Sequence, residues 1–325
     1  MIVVRTIDEL KDTIAGACVT IGNFDGVHKG HQKLIAMAKT RAESLGLVSV
    51  VVTFDPHPLR VLRGGKTPPF ITLTEQKLEL ISQYGPQVCL LLEFTREMAA
   101  LSPEEFVRTY LVEGLNTKEV IVGYDYHLGK GRSGNYETLQ ELGRKYGFGV
   151  DRLDPVSIDD AVVSSTRIRD LVHAGKVWDA HTLLGRFYQV KGEVVHGMNR
   201  GGRLLGFPTA NIKLVDELFP KGGVYAIWVE MDGKVHMGVA NIGKNPTFGN
   251  EALSVEAHII DFSGDIYGKD IRVHFVQRIR DERKFSGIDE LKARIKVDTE
   301  LGRKILSQPE AEIRLTKPAV AQKAS

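Results

Sequence analysis

Short apolar runs alternate with helical patterns through the first half of the chain. Five runs rich in Val, Ile, Leu and Phe have the length of β-strands, at residues 17–21, 47–54, 88–92, 119–123 and 148–153. Between the first two runs, apolar residues recur at helical spacing and stop before Gly46. Strands that alternate with helices predict a layered α/β domain with a parallel sheet.

Two helices carry sequence signals for their first turns. Thr72 with Glu75, and Ser102 with Glu105, have the spacing of a capping box, in which a hydroxyl and a carboxylate each bond an amide of the helix start. Pro103 suits a first helical turn, where its missing N–H is not needed. We therefore predict that Thr72 and Ser102 cap helices.

The pattern changes to β-rich segments at about residue 187. These segments lie at 187–197, 223–243, 254–262 and 270–279. Asp232 and Gly233 interrupt the second segment, and this dipeptide favours a tight hairpin turn because positive φ costs glycine little. The second half therefore predicts a mainly antiparallel barrel, followed by a helix at 288–306.

The length of 325 residues exceeds one typical domain of roughly 150 residues. The change of pattern places the boundary near residue 185. We expect domains at 1–185 and 186–306 and a C-terminal tail at 307–325 that is disordered at its end.

Composition narrows the class of protein. The 43 Lys and Arg residues nearly balance 41 Asp and Glu, so the net charge of +2 does not suggest a nucleic-acid partner. Cys18 and Cys89 lie in apolar runs, which suits buried thiols in a reducing compartment. No apolar run approaches the roughly 20 residues that cross a bilayer. We predict a soluble, cytoplasmic protein with no membrane partner, and its oligomeric state stays open.

The first candidate site is GNFDGVHKGHQ at residues 22–32, between the first predicted strand and helix. A helix start presents free amides and partial positive charge to a phosphate, and glycines allow close backbone approach. His28 and His31 are three residues apart, so both imidazoles can reach the same oxygens. A second phosphate-binding helix start is predicted at SSTRIRDLV, residues 164–172, where hydroxyls precede Arg167 and Arg169.

Taken alone, the two histidines do not establish phosphate binding. Surface capping of a helix start fits them equally well. Metal binding is a further alternative, although no carboxylate or cysteine stands at a spacing typical of zinc sites.

Four motifs, in the same order, resemble the adenylyltransferase module of bacterial FAD synthetases. They are GNFDGVHKGHQ at 22–32, TFDPHP at 53–58, VGYDYHLGKGRSGN at 122–135 and SSTRIR at 164–169. The resemblance implies a Rossmann-like nucleotidylyltransferase sheet. It also implies attack of the FMN phosphate on the α-phosphorus of ATP, with release of pyrophosphate and without a covalent enzyme intermediate. Catalysis would then rest on positioning and charge stabilisation.

The same resemblance implies individual site residues. The positions assigned to ATP and phosphate binding are Gly22, Asn23, Phe24, His28, His31, Asp125, Arg132, Ser165, Thr166 and Arg169, and the two histidines are also assigned to catalysis. Tyr126 and His127 depart from the family pattern, which leaves the flavin-side contacts less defined. His57 lies between two prolines, and substrate orientation and a structural turn explain it equally well.

The second candidate site is HGMNRGGRLLGFPTANIKL at residues 196–214. Its glycines form an amide-rich loop able to wrap phosphates, and Pro208 fixes a turn that presents Thr209 and Asn211. Hydroxyl and amide oxygens are ligands that suit Mg²⁺. On these residues alone a plain hairpin connection is the better explanation, and no GxxxxGK[ST] string supports a P-loop.

GFPTAN at 206–211, followed by VANIGKNPTF, SVEAHIIDF, IYGK and IRDERKF, resembles the riboflavin kinase domain over roughly residues 186–306. This resemblance implies a six-stranded barrel in which Thr209 and Asn211 bind Mg²⁺ with the phosphates of ATP. Glu256 is implied as the general base, whereas strand alternation alone would place it on a solvated face. The implied phosphate contacts of the loop are Gly202, Gly206 and Pro208, and the implied flavin contacts are Arg280, Arg283 and Phe285. A solvated charge cluster explains the last three equally well.

The two resemblances predict an α/β Rossmann-like domain followed by a mainly antiparallel six-stranded barrel with a C-terminal helix. The expected chemistry converts riboflavin to FMN and FMN to FAD, with ATP as co-substrate and Mg²⁺. One alternative is nucleotide transfer to another phosphorylated acceptor, since HxGH also occurs in cytidylyltransferases and class I aminoacyl-tRNA synthetases. The second alternative is a non-catalytic flavin-binding regulator, which would need no general base such as Glu256.

Overall fold

The computed structural model describes residues 1–10, 13–64, 67–195, 209–244, 253–313 and 321–322. These residues fall into two compact units, one formed by residues 1–165 with 321–322 and the other by residues 166–313. Each unit has its own sheet and its own hydrophobic core.

The first unit is built on a seven-stranded parallel sheet. Numbered along the chain, its strands are β1 (Ile2–Val4), β2 (Ala17–Ile21), β3 (Val48–Asp55), β4 (Val88–Glu93), β5 (Thr117–Gly123), β6 (Gly149–Leu153) and β15 (Ala321–Gln322). The spatial order is β15-β1-β4-β3-β2-β5-β6, and each neighbouring pair is parallel. The five strands predicted from apolar runs are confirmed, whereas β1 and the edge strand β15 were not predicted.

Helices connect these strands. They are α1 (Lys29–Leu45), α2 (Pro58–Arg63), α3 (Thr74–Ser82), α4 (Arg96–Ala100), α5 (Pro103–Phe106), a π-helix (Val107–Gly114), a 3₁₀ turn (Lys130–Arg132) and α6 (Tyr136–Tyr146). A short antiparallel hairpin, β7 (Ser157–Ile158) with β8 (Ala161–Val162), follows the sheet. The predicted end of α1 is confirmed at Gly46, whose φ of 65° is the left-handed conformation that glycine adopts without strain.

Alternate residues of the central strands point to opposite faces of the sheet. Val19 and Ile21 join one apolar cluster, whereas Cys18 packs in the other with Leu34 of α1. Apolar layers on both faces explain why these strands are continuous apolar runs. Cys18 and Cys89 are buried free thiols, as predicted, and burial raises the pKa of each to about 12.

The two predicted helix caps have different outcomes. Ser102 forms a complete capping box, because its Oγ accepts from the Glu105 amide at 3.2 Å and Glu105 Oε2 accepts from the Ser102 amide at 2.8 Å. The predicted cap at Thr72 is wrong, since α3 begins at Thr74 and the Thr72 hydroxyl lies 3.4 Å from Asp25 Oδ1. The Thr72 hydroxyl therefore contacts a residue 47 positions away along the chain and does not cap the helix.

The second unit contains a closed barrel of six antiparallel strands. They are β9 (Tyr188–Val195), β10 (Ala210–Leu214), β11 (Gly223–Met231), β12 (Lys234–Lys244), β13 (Leu253–Ile259) and β14 (Asp270–Arg280), in the spatial order β10-β13-β12-β11-β14-β9. The helices are α7 (Ser165–His173), α8 (Val177–Leu184) and α9 (Ile288–Leu306), followed by a 3₁₀ turn (Pro309–Ala311). The predicted barrel and its C-terminal helix are confirmed.

Asp232 and Gly233 turn the chain between β11 and β12. Their φ angles are 50° and 73°, both positive, and Met231 pairs with Lys234 on either side of them. This is the two-residue hairpin that the Asp-Gly dipeptide predicts.

Helix α9 is fixed to the barrel by a buried ion pair. Asp298 is 2% exposed and accepts from Arg280 Nε at 2.9 Å and Nη2 at 2.7 Å. Arg294, one turn earlier on α9, places its Nε 3.0 Å from the same carboxylate. A carboxylate at this depth has lost its water, so the two guanidinium groups are needed to balance its charge.

None of the helices that the structure describes combines the length and the apolar character needed to cross a membrane. Of the predicted C-terminal tail, residues 314–320 and 323–325 lie outside the described ranges. Ala321 and Gln322 pair with Ile2 and Val3 of β1.

Replacing Asp298 by Ala leaves two half-buried guanidinium groups without their counter-charge, and is expected to lower the free energy of unfolding of the second unit by about 3 kcal/mol. Both tryptophans of the chain, Trp178 and Trp228, lie in this unit, so urea unfolding followed by tryptophan fluorescence reports on it selectively. Asp261→Ala is the matched control, because Asp261 also binds an arginine of α9, but in an exposed pair. Equal losses in the two variants would contradict a dominant role for the buried pair.

Candidate active sites

The loop between β2 and α1 holds three residues at positive φ: Phe24 at 51°, Gly26 at 82° and Val27 at 39°. Glycine adopts such angles freely, whereas a β-branched valine is strained there. Both Phe24 and Val27 are completely buried, so packing holds the loop in this shape. A strained backbone that its surroundings hold in place is typical of a functional loop.

Asp25 fixes this loop to the segment before α3. Its Oδ1 accepts from the amides of Ile71 at 3.0 Å and Thr72 at 3.1 Å, and the Gly26 amide donates to Thr72 Oγ1 at 3.0 Å. The backbone carbonyl of Asp25 accepts from Ser165 Oγ at 2.9 Å. The predicted phosphate ligand Ser165 is therefore bonded to the loop. Asp25 itself was not predicted as a site residue, although it lies inside the first motif.

His28 and His31 stack on each other, with ring centroids 3.6 Å apart and planes 16° apart. His28 caps α1, because its Nδ1 accepts from the His31 amide at 3.4 Å. With Nδ1 as acceptor, Nε2 of a neutral His28 carries the proton and can donate to a ligand. A Cβ at Gly30 would lie 3.2 Å from the His28 ring, so glycine at this position leaves room for the ring. The structure thus brings the two predicted catalytic histidines into contact.

His31 is held in its neutral form. Burial lowers the pKa of His31 well below its usual value, and the neighbouring His28 and Lys77 lower it further. Its buried Nδ1 has no hydrogen-bond partner in the part of the chain that the structure describes. A neutral imidazole with an unpaired ring nitrogen can bind a substrate oxygen or its hydrogen.

The loops that follow β3, β2 and β5 meet at one edge of the parallel sheet, because these strands are neighbours. After β5, the predicted ATP contacts Asp125 and Arg132 are both exposed. His127 lies beside both, with its Nδ1 2.8 Å from the Asp125 carbonyl oxygen and 2.9 Å from Arg132 Nη2; this nitrogen donates to the carbonyl in one tautomer and accepts from the guanidinium group in the other. The residue that departs from the family pattern thus organises this loop, and the ATP contacts of Asp125 and Arg132 stay predictions.

The other predicted phosphate contacts of the adenylyltransferase motifs lie where a strand ends or a helix begins. Gly22 and Asn23 leave the end of β2 and are bonded to β3 through the Gly22 amide and the Asn23 carbonyl. Thr166 and Arg169 lie in the first turns of α7, where Thr166 is exposed and Arg169 is half-buried. Their contacts with phosphate stay predictions.

A cavity of about 60 Å³ opens at the ends of β2 and β3. Its lining includes Asn23, Asp25, Asp55, His57, Phe70 and Lys77. His57 caps α2, since its Nδ1 accepts from the Leu59 amide at 3.2 Å, and its ring stacks on Phe70. His57 therefore has a structural role as a helix cap, and its part in orienting substrate stays a prediction.

Lys77 was not predicted as a site residue, although the sequence carries a signal for it. On α3, Lys77 lies three and four residues before Leu80 and Ile81, and all three are buried. A lysine on the apolar stripe of a helix is rarely buried without a charged partner. The helical spacing of Lys77, Leu80 and Ile81 therefore indicates a buried lysine, which is unusual and could have marked Lys77 as a candidate site residue.

In the second unit, three polar side chains form a row across neighbouring strands. Asn211 of β10 lies directly opposite Glu256 of β13, and Glu256 lies opposite Asn241 of β12. Directly opposite residues share a face, and the flanking Val255 and Ala257 are completely buried in the barrel. The half-buried row therefore faces away from the core. The structure brings the predicted base next to the predicted metal ligand Asn211.

A second carboxylate acts on Glu256. Asn241 Nδ2 donates to Glu282 Oε1 at 3.2 Å. Burial raises the pKa of Glu256, and the negative charge of Glu282 raises it further. A higher pKa makes a carboxylate a stronger base toward an alcohol. Neither Asn241 nor Glu282 was predicted, although Glu282 lies within the IRDERKF motif, because their position depends on how distant strands pair.

Thr209 directly precedes β10 and is half-buried. It lies two residues before Asn211, the spacing that places side chains on one side of an extended chain. Gly202, Gly206 and Pro208 lie outside the described residues, so their phosphate contacts stay predictions.

The three predicted flavin contacts lie together. The guanidinium groups of Arg283 and Arg280 are 4.8 Å and 5.7 Å from the ring centroid of Phe285, within range of a cation–π interaction. Arg283 also donates to Glu290 at 3.0 Å, while Arg280 is paired with Asp298. Ion pairs therefore account for both arginines in this structure, and a flavin contact stays a prediction.

Two protein-family models match the chain. The model described as FAD synthetase matches residues 10–167, which include the stacked histidines and the cavity. The model described as riboflavin kinase matches residues 184–306, which include the row around Glu256.

Known relatives match both regions at once. The bifunctional riboflavin kinase/FMN adenylyltransferase of Bacillus subtilis is 41% identical over 295 residues, covering 89% of this chain and 92% of the relative. The protein of the same description from Escherichia coli is 36% identical, covering 98% and 100%. A crystal structure described as a macrolide-efflux protein from Streptococcus pneumoniae superposes with a TM-score of 0.83 at 34% identity, covering 93% and 99%. The chain therefore belongs to the family of bifunctional riboflavin kinases/FMN adenylyltransferases.

Proposed function

We propose that the two sites divide the two family activities between them. The barrel site phosphorylates riboflavin to FMN, and the histidine site transfers the adenylyl group of ATP to FMN, giving FAD and pyrophosphate. The observation that carries the proposal is that each matched region brings together residues predicted for its reaction, the stacked His28 and His31 in one and the directly opposite Glu256 and Asn211 in the other.

In the kinase step Glu256 acts as the general base. The terminal ribityl hydroxyl of riboflavin attacks the γ-phosphorus of ATP, its proton passes to the Glu256 carboxylate, and ADP leaves. The raised pKa of Glu256 supports this role, because it narrows the gap between the carboxylate and a weakly acidic alcohol.

The residues beside Glu256 fit a Mg²⁺ ion. The Thr209 hydroxyl and the Asn211 amide oxygen are the hard oxygen ligands that Mg²⁺ prefers, and Asn211 lies directly opposite Glu256. We propose that Thr209 and Asn211 hold Mg²⁺ with the phosphates of ATP. When bound, the ion neutralises charge on the transferring phosphoryl group.

The adenylyl step needs no general base, because the phosphate of FMN is already ionised. A phosphate oxygen attacks the α-phosphorus of ATP, and the bond to pyrophosphate breaks. His28 donates from Nε2, and neutral His31 contributes its ring nitrogens, so both stabilise charge on the reacting phosphate. The predicted contacts in the loop after β5 hold another part of ATP.

The two alternatives lack comparable support. Transfer to a different phosphorylated acceptor does not explain the riboflavin kinase region, and a flavin-binding regulator does not need a half-buried base. A cytoplasmic location stays a prediction, supported by the requirement of both reactions for ATP.

Glu256→Gln keeps the side chain's size but removes the base. FMN formation from riboflavin is expected to fall by about 10²–10⁴-fold. FAD formation from added FMN stays unchanged, since the histidine site is untouched. Chromatography of the flavins, with riboflavin or FMN as the starting compound, measures both rates. Riboflavin binding is the control for the barrel, and equal loss of binding and turnover would contradict the role of Glu256.

His31→Ala is expected to have the reverse effect. FAD formation from FMN falls by about 10²–10³-fold, because one of the two groups that stabilise the reacting phosphate is lost. The reaction started with riboflavin then stops at FMN. His173→Ala, at an exposed position, is the matched control. Full FAD formation by the His31 variant would show that the stacked ring has no part in the reaction.

Glu282→Gln is expected to move the acidic limb of the kinase pH profile to lower pH. Glu256 must be ionised to accept a proton, so kcat/KM falls as the pH drops through its raised pKa. Removing the charge of Glu282 lowers that pKa. Asp281→Asn is the control, because Asp281 pairs with Arg278 at 2.6 Å and not with Asn241. A limb that stays in place, or moves to higher pH, would contradict the coupling between the two carboxylates.

A further inference from the structure

Lys77 is a buried cation that the proposed mechanism does not use. It is 4% exposed, and its Nζ donates one hydrogen bond, to the Phe54 carbonyl at 2.9 Å. Within the described ranges no carboxylate lies at ion-pair distance from this Nζ. An ammonium group has three N–H donors, so two of them are available to another partner.

Burying this charge has a cost that the fold alone does not explain. Burial lowers the pKa of Lys77, while Cys89, Asp55 and Asp25 act in the opposite direction. An apolar side chain of similar length would pack on the same stripe of α3 without that cost. A function for the ammonium group outside the fold is therefore the better explanation.

Lys77 lines the cavity at the ends of β2 and β3, whose volume is about 60 Å³. This is more than the roughly 10–15 Å³ that one water molecule needs, so the cavity has room for a polar group beside Lys77. A phosphate group can enter it and meet the charge of the ammonium group. The cavity therefore suits the phosphate end of a substrate.

An anion fits the charges of this cavity better than a metal ion. Asp25 Oδ1 already accepts from the amides of Ile71 and Thr72, and Asp55 Oδ1 accepts from Thr74 Oγ1 at 2.8 Å. A divalent cation would have to bind beside the buried ammonium group, which repels it. A phosphate can instead accept the two remaining N–H bonds of Lys77.

The cavity also lies where the acceptor has to bind. Asn23, from the loop that leads to the stacked histidines, forms part of its wall. Asp25 of the same loop also lines it, and the other walls come from β3, α2, α3 and the segment before α3. A group in this cavity is thus next to the loop that carries the stacked histidines.

We propose that Lys77 binds the phosphate of FMN and thereby selects a phosphorylated flavin over riboflavin as the acceptor. This inference rests on the proposed adenylyltransferase function. Lys77 acts as a binding residue for the acceptor, and no proton or bond is exchanged with it.

Lys77→Met and Lys77→Gln test the inference in the full-length chain. Methionine removes the charge and fills the space, whereas glutamine also keeps a donor for the Phe54 carbonyl. Lys39→Met is the matched control, because Lys39 is an exposed lysine of the same unit. Steady-state kinetics of FAD formation, started with FMN, give KM for FMN and for ATP.

Both Lys77 variants are expected to raise KM for FMN by about 10- to 100-fold, the effect of losing a charge-assisted hydrogen bond. KM for ATP stays unchanged, the temperature of unfolding does not fall, and the control behaves as the unmodified chain. Riboflavin can be tested as a competitor of FMN in chains that also carry Glu256→Gln, because these chains do not consume riboflavin. Riboflavin has no phosphate for Lys77 to bind, so it should inhibit FAD formation by the Lys77 variants as strongly as FAD formation by the chain with Lys77.

Three results would overturn the inference. An unchanged KM for FMN shows that Lys77 does not bind the acceptor. A lower unfolding temperature, with FMN and riboflavin weakened alike, shows that Lys77 only supports the fold. If added Mg²⁺ restores FAD formation in the Lys77 variants, the cavity binds a cation. If the unmodified chain makes no FAD from FMN, the proposed function fails, and this outcome is distinct from the first three.

Discussion

The site around His28 and His31 depends on the hydrogen bonds that the carboxylate of Asp25 accepts. One of its oxygens accepts two backbone amides from the segment before α3, and its own carbonyl accepts the hydroxyl of Ser165. These bonds hold a loop whose positive φ angles at Phe24 and Val27 would otherwise relax. With the loop fixed, His28 caps α1 and stacks on its neighbour. The position of the rings therefore follows from a carboxylate that lies in the loop before them.

In the barrel, the register of the paired strands fixes the positions of the site residues. Glu256 lies opposite Asn211 and Asn241 because β13 pairs with β10 and β12, and the alternate residues of β13 fill the core. A slip by one residue would turn Glu256 into the core and Val255 toward solvent, which the apolar interior opposes. The pairing that closes the barrel thus also places the proposed base, and the Arg280–Asp298 pair fixes α9 against that barrel.

Local patterns predicted most of the fold, and long-range contacts account for what they missed. The central strands, α9 and the Asp232-Gly233 hairpin follow from apolar runs and turn chemistry within a few residues. The cap at Thr72 failed because its hydroxyl is bonded to Asp25, far away in the chain. The motifs also predicted which histidines and which glutamate come together with their neighbours. Glu282 was missed because its position depends on how distant strands pair, whereas the place of Lys77 on an apolar stripe of α3 was a local signal that was not used.

Two separate sites on one chain explain how riboflavin is converted to FAD, since the product of the barrel is the substrate of the histidine site. The most direct test is a time course of the unmodified protein with riboflavin, ATP and Mg²⁺, with the flavins separated by chromatography. The account predicts that FMN appears first and that FAD follows as FMN accumulates. FMN without FAD would contradict the assignment of the histidine site, and the absence of both products would contradict catalysis by either unit.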